Sequence, residues 1–374
     1  MSEVLPEPSG QYAVGFKDVD YQERVLARIY YPADLSQEEY TNQRGTWLPS
    51  SEYYPGYGYF LRIPAMISGV LGRIAFGGVR LWAVENAPFA KRLYTPEPRA
   101  DSTDGSRNHP LLIIFSHGLG GIRTTYSVIC TELASHGYIV AALEHRDGTA
   151  SMTLTKDQAS SSSKIFTYQS TPLDVDEVSF RQSQLLFRCE EIKVLLDNFF
   201  QQEEFIVDGK CSLVMMGHSF GAATSILYSQ KDVRVQSIIA LDPWMIPFIN
   251  FPTVDYVPLS SDTIIHRSLP FMVVTMEQFH WPENIFILNN YYRDLSGDFP
   301  ANSAAISIIQ ASHQQCSDIP LWKSASFLLK RNSPPTIIVL RLCNKFTLLF
   351  LLESKISSEI KEEHKDAIRP LFLE

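Results

Sequence analysis

The stretch SLVMM (212–216), GHSFG (217–221) and AATSILYSQ (222–230) decides the fold. Its first part has the apolar pattern of a buried strand, its last part has a helical pattern, and G-x-S-x-G lies between them. A strand, G-x-S-x-G and a helix in this order are typical of a nucleophile elbow, a sharp turn that exposes one serine hydroxyl. We therefore predict that Ser219 is a nucleophile at the N-terminus of a helix, where the helix dipole favours developing negative charge.

Short apolar runs alternate with helical patterns along the rest of the chain. The strand candidates are 13–18, 26–31, 111–115, 138–143, 212–216, 236–241, 270–275 and 304–310. Helices are predicted over 122–135, 177–200 and 221–230, most clearly over 177–200, where the apolar positions repeat at helical spacing. Strands that alternate with helices predict an α/β fold with a mostly parallel sheet and helices on both faces.

Two stretches are predicted to be loops, namely 95–110 and 149–175. Neither separates two self-sufficient patterns, so we interpret both as surface excursions from a single α/β-hydrolase domain over residues 1–374. Residues 1–10 and 355–374 are expected to be flexible or peripheral.

A serine nucleophile needs a base that takes its proton and an acid that orients the base. In α/β-hydrolases the acid follows the serine along the chain and the histidine follows the acid. His313 comes directly after the last sheet-like run, where a base can reach the strand ends, so we predict it as the base, with His280 as its competitor. Asp242 and Glu277 each follow a strand, and placement alone does not separate them as the acid.

The oxyanion of an acyl-transfer intermediate needs two backbone N–H groups. We expect one from Phe220, the residue after the nucleophile. The other should come from a loop that follows an earlier strand. The glycine-rich loop FSHGLGG (115–121) fits this place, and Leu119 is its best donor.

Three polar features near these residues are interpreted as structural. His117 lies in the glycine-rich loop, where it is expected to form hydrogen bonds. The run EHRD (144–147) follows a strand, and such charged clusters usually brace loops by ion pairs. His218 is adjacent to the nucleophile and should face away from its hydroxyl, so we do not predict it as the base.

The segment YFLRIPAMISGVLGRIAFGGVRLWAV (59–84), part of an apolar insertion near 59–90, also carries three arginines, Arg62, Arg73 and Arg80. On one ideal helix these arginines would share a face, which is typical of a helix that lies in a membrane interface. The alternative is an insertion packed on the core, with its arginines in water. A transmembrane span is not expected, because Arg73 would lie in the middle of the bilayer.

The formal net charge is −9, and the chain has no basic stripe, so we expect no nucleic-acid partner. The five cysteines are scattered and form no CxxC pair, which argues against a disulfide framework and against a structural metal site. The N-terminal sequence MSEVLPEPSGQ lacks the apolar core of a signal peptide. We therefore expect a cytoplasmic protein, and the predicted serine chemistry needs no metal or cofactor.

Five blocks of the sequence, in the same order, resemble those of the platelet-activating-factor acetylhydrolase family, in its plasma and intracellular type II branch. They are FSHGLGGIRTTYS (115–127), VAALEHRDGTAS (140–151), GHSFGAAT (217–224), LDPWMIP (241–247) and ASHQQCSD (311–318). Looser likeness covers nearly the whole chain.

This resemblance implies a calcium-independent phospholipase A2 that hydrolyses the sn-2 ester of platelet-activating factor and of oxidatively truncated phospholipids. The products are a lysophospholipid and a short carboxylate. The resemblance places the acid in the LDPWMIP block, and so it favours Asp242 over Glu277. It also supports the nucleophile, base and oxyanion donors named above, and it implies peripheral contact with membranes or lipid particles through 59–84.

Two features depart from the family pattern. Ser2 follows the initiator Met, where the mammalian intracellular branch has a myristoylated glycine, and residues 354–374 match no block. Two other interpretations are a general carboxylesterase or lipase with the same triad, and a non-catalytic lipid-binding protein on a hydrolase scaffold. Rates on short-acyl phosphocholine and triacylglycerol distinguish the first, and a serine-directed probe tests the second.

Overall fold

The computed structural model describes residues 3–21, 24–94, 109–156, 163–201, 204–206, 211–251, 268–298, 300–322, 329, 332–353 and 358–371. Along these residues the strands are β1 (Ala13–Tyr21), β2 (Val25–Ala33), β3 (Arg44–Thr46), β4 (Arg80–Glu85), β5 (Leu111–Ser116), β6 (Ile139–Glu144), β7 (Met152–Lys156), β8 (Ser163–Thr167), β9 (Ser212–His218), β10 (Val235–Leu241), β11 (Phe271–Met276), β12 (Ala304–Ile308) and β13 (Ile368–Pro370). The α-helices are α1 (Gln37–Asn42), α2 (Gly56–Phe60), α3 (Ala65–Phe76), α4 (Ser127–Ser135), α5 (Glu177–Phe199), α6 (Phe220–Ser229), α7 (Pro282–Ser296), α8 (Thr336–Glu353) and α9 (Ser358–Glu363).

Eleven of these strands form one sheet, in the order β13-β12-β11-β10-β9-β5-β6-β2-β1-β4-β3. The strands from β12 to β6 in this order are all parallel to their neighbours, and the pairs β12–β13, β6–β2, β2–β1 and β4–β3 are antiparallel. Each strand candidate from the sequence overlaps one of these strands. The predicted mostly parallel sheet is confirmed.

The central strands β5, β6, β9 and β11 are mostly apolar, and they are buried along their whole length. In β5, Leu111, Ile113 and Phe115 join one core cluster, and Leu112 and Ile114 join the other. The first cluster includes side chains of α4 and α8, and the second includes side chains of α5, α6 and α7. Helices therefore cover both faces, as predicted, and the nucleophile turn lies at the carboxyl end of a central strand.

The stretch 149–175 is not the loop that the sequence analysis predicted. Strands β7 and β8 form an antiparallel hairpin within it, from the Met152–Thr167 pair to the Lys156–Ser163 pair. The sequences MTLTK and SKIFT are rich in threonine, isoleucine and phenylalanine, which favour strands, and the neighbouring serine run obscured that signal. Most of the other predicted loop, 95–108 of 95–110, lies outside the described residues.

The prediction that three arginines share one helix face in 59–84 is wrong. The segment is divided between α2, α3 and β4, and only Arg73 lies within a helix. Arg62 has a φ of 58° in the break before Pro64, and Arg80 begins β4. Pro64 separates α2 from α3, and Gly77 and Gly78 follow the end of α3, so the ideal-helix geometry does not apply.

None of the helices in the described residues has the length and the apolar composition that a membrane-spanning helix needs. The helical stretches Ser51–Phe60 and Ala65–Phe76 meet those criteria only as a pair, and they are bent by 117° against each other.

Candidate active site

Ser219 lies in the sharp turn between β9 and α6. Its φ of 56° and ψ of −120° belong to a conformation that residues other than glycine rarely adopt. The turn is held from both sides, because the Ser219 N–H donates to the Leu241 carbonyl at 2.9 Å and the Ser219 carbonyl accepts from the Ala222 N–H at 3.1 Å. The hydroxyl does not cap its own helix, and it remains available to other groups.

Two glycines let the strand and the helix approach each other this closely. A Cβ on Gly217 would lie 2.4 Å from the backbone carbonyl of Gly221, and a Cβ on Gly221 would lie 2.0 Å from the carbonyl oxygen of Ser116. Both distances are far below any van der Waals contact. The G-x-S-x-G spacing is therefore a packing requirement of this turn.

The structure joins Ser219, His313 and Asp242 in one chain of hydrogen bonds. The Ser219 hydroxyl donates to His313 Nε2 at 2.9 Å, and His313 Nδ1–H donates to Asp242 Oδ2 at 2.5 Å. The other oxygen of Asp242 accepts from the Met276 N–H at 2.9 Å. Such a chain can remove a proton from the serine while it fixes the tautomer of the imidazole.

The competing acid and the competing base have other partners. Glu277 accepts from the Gln310 N–H at 2.6 Å and forms an ion pair with Arg369 at 2.8 Å. His280 Nε2 lies 2.9 Å from the Thr275 hydroxyl. In the described part of the chain, Glu277 does not hydrogen-bond to His313 and His280 does not hydrogen-bond to Ser219, whereas Asp242 and His313 make those two contacts.

The environment of His313 suits a neutral base. Phe279 stacks on the imidazole with ring centres 3.7 Å apart. Burial lowers the pKa of His313, so the resting ring is neutral and can accept a proton. Burial also raises the pKa of Asp242, while the Met276 N–H acts in the opposite direction because it stabilises the carboxylate.

His218 lies closer to the reacting groups than the sequence analysis expected. Its ring centre is 4.5 Å from that of His313, and its Nε2–H donates to the His313 carbonyl at 3.1 Å. Its Nδ1 accepts from the Tyr126 hydroxyl at 2.9 Å. Within the described residues His218 forms no hydrogen bond with the Ser219 hydroxyl, so the expectation that it is not the base stays a prediction.

His218, Asp242 and His313 also offer possible metal ligands, with their ligand atoms within 4.8 Å of one another. However, both ring nitrogens of each histidine already have a hydrogen-bond partner in the protein. A bound ion would have to break the chain that reaches the serine. The donor set therefore fits proton transfer better than metal binding.

The glycine-rich loop leaves one N–H group available near the serine. The other N–H groups from 118 to 121 are engaged, Gly118 with the Tyr126 hydroxyl, Gly120 with the Thr149 carbonyl and Gly121 with the Gly118 carbonyl. Within the described residues, no acceptor takes the N–H of Leu119 or that of Phe220, at the first position of α6. Their role as oxyanion donors stays a prediction, and the geometry leaves both groups unoccupied for it.

The run EHRD (144–147) braces the site through ion pairs, as predicted. The ion pairs are Glu144 with Arg123 at 2.7 Å, Arg146 with Asp20 at 2.9 Å and Asp147 with Arg188 at 2.8 Å. Burial lowers the pKa of His145, so its contact with Glu191 at 2.6 Å is a hydrogen bond of a neutral ring. Arg188 also donates to the carbonyl of His117 at 2.7 Å, at the start of the glycine-rich loop. Burial lowers the pKa of His117, which favours the neutral ring as a structural hydrogen-bonding group.

Asp318 anchors the loop that carries His313. Its carboxylate accepts from Trp47 Nε1–H at 3.0 Å and from the N–H groups of Ser127 and Val128 at 2.8 Å and 3.1 Å. Burial raises the pKa of Asp318 to about 7. This carboxylate caps the N-terminus of α4, which explains why the helix begins at Ser127 and not at 122 as predicted.

The reacting groups open into a cavity of about 290 Å³. Its wall includes side chains that the sequence analysis did not single out, namely Phe60, Tyr126, Tyr168, Glu177, Arg181, Trp244, Phe279, Trp281 and Gln314. They come from segments far apart in the chain, and periodicity within one segment does not reveal which segments meet. Most of them are aromatic, so the cavity suits a substrate with apolar parts.

Comparison with known proteins agrees with this geometry. The family model for platelet-activating factor acetylhydrolase, isoform II, matches residues 1–367. The platelet-activating factor acetylhydrolase of Canis lupus familiaris is 33% identical over 378 residues, which cover 93% of this chain and 76% of the relative. The platelet-activating factor acetylhydrolase of Gallus gallus is 30% identical over 384 residues, which cover 93% of this chain and 82% of the relative.

Among solved structures, a ferulic acid esterase from Streptomyces cinnamoneus matches with a TM-score of 0.65 and 17% sequence identity. The match covers 99% of each chain. This likeness, with the order of strands and the elbow after β9, shows the α/β-hydrolase fold.

Proposed function

This chain belongs to the family of platelet-activating factor acetylhydrolase, isoform II, and from that premise we propose that it hydrolyses the sn-2 ester of platelet-activating factor and of oxidatively truncated phospholipids. The products are a lysophospholipid and a short carboxylate. The observation that carries the proposal is the hydrogen-bonded chain from Ser219 through His313 to Asp242, beside an aromatic cavity.

In the first step of the proposed mechanism, Ser219 Oγ attacks the carbonyl carbon of the sn-2 ester, and its proton moves to His313 Nε2. The Asp242 carboxylate stabilises the imidazolium that forms. The N–H groups of Phe220 and Leu119 donate to the oxyanion, and one such donor is typically worth about 3–4 kcal/mol.

In the second half of the reaction, His313 protonates the departing lysophospholipid alkoxide, which leaves the acyl group on Ser219. A water molecule then attacks the acyl carbon as its proton moves to the same imidazole. The imidazolium returns a proton to Ser219 Oγ, and the short carboxylate leaves. The enzyme ends in the state in which it began.

We also propose that the reaction needs no calcium, because backbone N–H groups supply the charge stabilisation that a metal ion would otherwise give. Purified protein in excess EDTA should release lysophospholipid from a short-chain phosphatidylcholine at an undiminished rate. A calcium-dependent phospholipase A2, assayed in parallel, controls for chelation because it should lose its activity. A strict requirement for added calcium would contradict this part of the mechanism.

The exposed face of α3 supports a further part of the proposal, that the protein docks on phospholipid surfaces. Five apolar side chains are exposed there, Met66, Ile67, Val70, Leu71 and Ile74, with Met66 84% and Ile74 77% exposed. The helix packs on the protein through small residues instead, because a Cβ on Gly72 would lie 1.9 Å from the Tyr54 carbonyl oxygen. An apolar face turned to solvent is typical of an interfacial helix. Phe60 of the neighbouring α2 lines the cavity, so docking would bring the cavity close to the lipid.

Replacement of two of these side chains, Met66→Ser with Ile74→Ser, should weaken binding to phosphatidylcholine vesicles by more than about tenfold, because each apolar side chain contributes about 1.5 kcal/mol when it is buried. Co-sedimentation with vesicles measures the bound fraction. The matched control is Val233→Ser with Leu352→Ser, which changes two exposed apolar residues elsewhere. If both double variants bind equally well, α3 is not the docking surface.

We propose a cytoplasmic location as well. All five cysteines are free thiols, and four of them are buried. Disulfides are rare in cytosolic proteins, so a chain with five free thiols fits a reducing compartment.

A further inference from the structure

Arg181 on α5 is a buried cation in the wall of the cavity. Its side chain is almost fully buried, with an exposure of 3%, and it lines the same cavity as Ser219. Its Nη1–H donates to Gln184 Oε1 at 2.8 Å, and its Nη2–H donates to the Tyr168 hydroxyl at 3.1 Å. Both partners are neutral, and within the described residues Arg181 Nε has no hydrogen-bond partner.

The other buried arginines show what Arg181 lacks. Each has a carboxylate oxygen within hydrogen-bond distance, namely Arg28 with Asp18 at 2.7 Å, Arg123 with Glu144 at 2.7 Å and Arg188 with Asp147 at 2.8 Å. The ion pair of Arg181 with Glu177 is longer, at 3.9 Å, and the Glu177 side chain is 64% exposed. A buried guanidinium without a close anion is costly, so a ligand that brings an anionic oxygen would complete its environment.

We propose that Arg181 is a specificity residue that binds an anionic oxygen of the substrate. This inference rests on the proposed function. Two parts of such a substrate carry this chemistry, a carboxylate at the free end of an oxidatively truncated sn-2 chain and the phosphodiester of the headgroup. The planar guanidinium presents donors in a fork that matches either group, and the Tyr168 hydroxyl beside it can donate as well.

The arrangement of the cavity favours the end of the acyl chain. The leaving lysophospholipid must lie next to His313, which protonates it, and Phe279 stacks on that ring. Arg181 belongs to another part of the wall, where Tyr168 contacts Phe60 with ring centres 4.8 Å apart. Phe60 packs against the glycine-rich loop, because a Cβ on Gly120 would lie 2.7 Å from its ring. Because Arg181 and Ser219 line the same cavity, an acyl chain that extends away from His313 and along this wall would lead towards Arg181.

Two ratios of kcat/KM separate the possible sources. The first is kcat/KM for sn-2 glutaroyl phosphatidylcholine divided by kcat/KM for sn-2 pentanoyl phosphatidylcholine. The two acyl chains have the same length, but the first ends in a carboxylate and the second in a methyl group. The second is kcat/KM for sn-2 pentanoyl phosphatidylcholine divided by kcat/KM for p-nitrophenyl pentanoate, which has no phosphate. Both are measured for the wild type, for Arg181→Met and Arg181→Lys, and for Arg341→Met as a control that removes an exposed arginine.

For a carboxylate ligand, Arg181→Met should lower the first ratio about tenfold to a hundredfold, as expected for a lost charge-assisted hydrogen bond, and should leave the second ratio unchanged. For a phosphate ligand, the second ratio should fall and the first should not. In either case Arg181→Lys should restore part of the ratio, because it keeps the charge without the fork. The control should change neither ratio.

If neither ratio changes in Arg181→Met, the proposal is overturned, even if all rates fall together, because a structural role lowers every rate equally. Circular dichroism checks that Arg181→Met is folded. If Arg181→Met does not fold, the two ratios are compared between Arg181→Lys and the wild type instead. Failure of the proposed function looks different, because the wild type would then hydrolyse p-nitrophenyl pentanoate but neither phosphatidylcholine.

Discussion

Ser219→Ala is expected to hydrolyse a short-chain phosphatidylcholine about a million times more slowly than the wild type. The variant loses the oxygen that forms the acyl intermediate, and the remaining groups of the site can only act on water. The proposed oxyanion donors, the N–H groups of Leu119 and Phe220, stay in place, so a small residual rate over the uncatalysed reaction should persist. Steady-state release of lysophospholipid, together with labelling by a fluorophosphonate probe, measures the effect.

Ser225→Ala is the matched control for this variant. Ser225 lies farther along the same helix, and its hydroxyl donates to the carbonyl of Gly221, at 3.0 Å. Its removal should leave both labelling and turnover close to the wild type. Persistent labelling of Ser219→Ala, or a rate near that of the wild type, would mean that another residue is the nucleophile.

Asp242→Asn should reduce kcat about ten-thousandfold. The variant keeps the shape of the side chain, but its amide can stabilise the wrong tautomer of His313 and cannot neutralise the imidazolium. Removal of the acid also leaves the Met276 N–H with a weaker acceptor. The rate on a short-chain phosphatidylcholine, measured at saturating substrate, gives kcat directly.

Glu277→Gln tests the other carboxylate that sequence placement allowed. Glu277 pairs with Arg369 and accepts from the Gln310 N–H, so its change should affect the stability of that edge of the sheet more than the rate. A thermal melt and a rate measurement on the same sample separate the two effects. If Glu277→Gln loses most of its hydrolysis rate while Asp242→Asn keeps a rate close to that of the wild type, Glu277 and not Asp242 is the acid.

The elbow could be predicted from the sequence because its causes are local. Gly217 and Gly221 are needed where two backbones touch, and the strand before them is apolar because helices cover both sides.

The acid shows the limit of such reasoning. Asp242 and Glu277 follow adjacent parallel strands, β10 and β11, so both end at the same edge of the sheet. Only the hydrogen bond to His313 separates them, and residue patterns alone do not give that contact.

Features that depend on contacts between distant segments could not be predicted. The sequence analysis did not single out Arg181, because its burial and the long spacing of its ion pair with Glu177 are known only from the structure. In 59–84, composition indicated an apolar surface, but the predicted arrangement of the arginines was wrong because the segment is broken at Pro64 and at Gly77–Gly78. The hairpin β7–β8 was missed because a serine run next to it resembles a loop.

The positive φ angles of Ser219 and Asp242 have a consequence for laboratory evolution of this protein. A non-glycine residue in such a conformation costs on the order of 1 kcal/mol or more, and glycine would relieve that cost. At Asp242 glycine would also remove the acceptor of two buried hydrogen bonds, so the net gain is expected at Ser219. Selection for heat resistance alone would therefore reward substitutions that destroy turnover. Any screen for more thermostable variants of this protein therefore has to select for product formation in the same round.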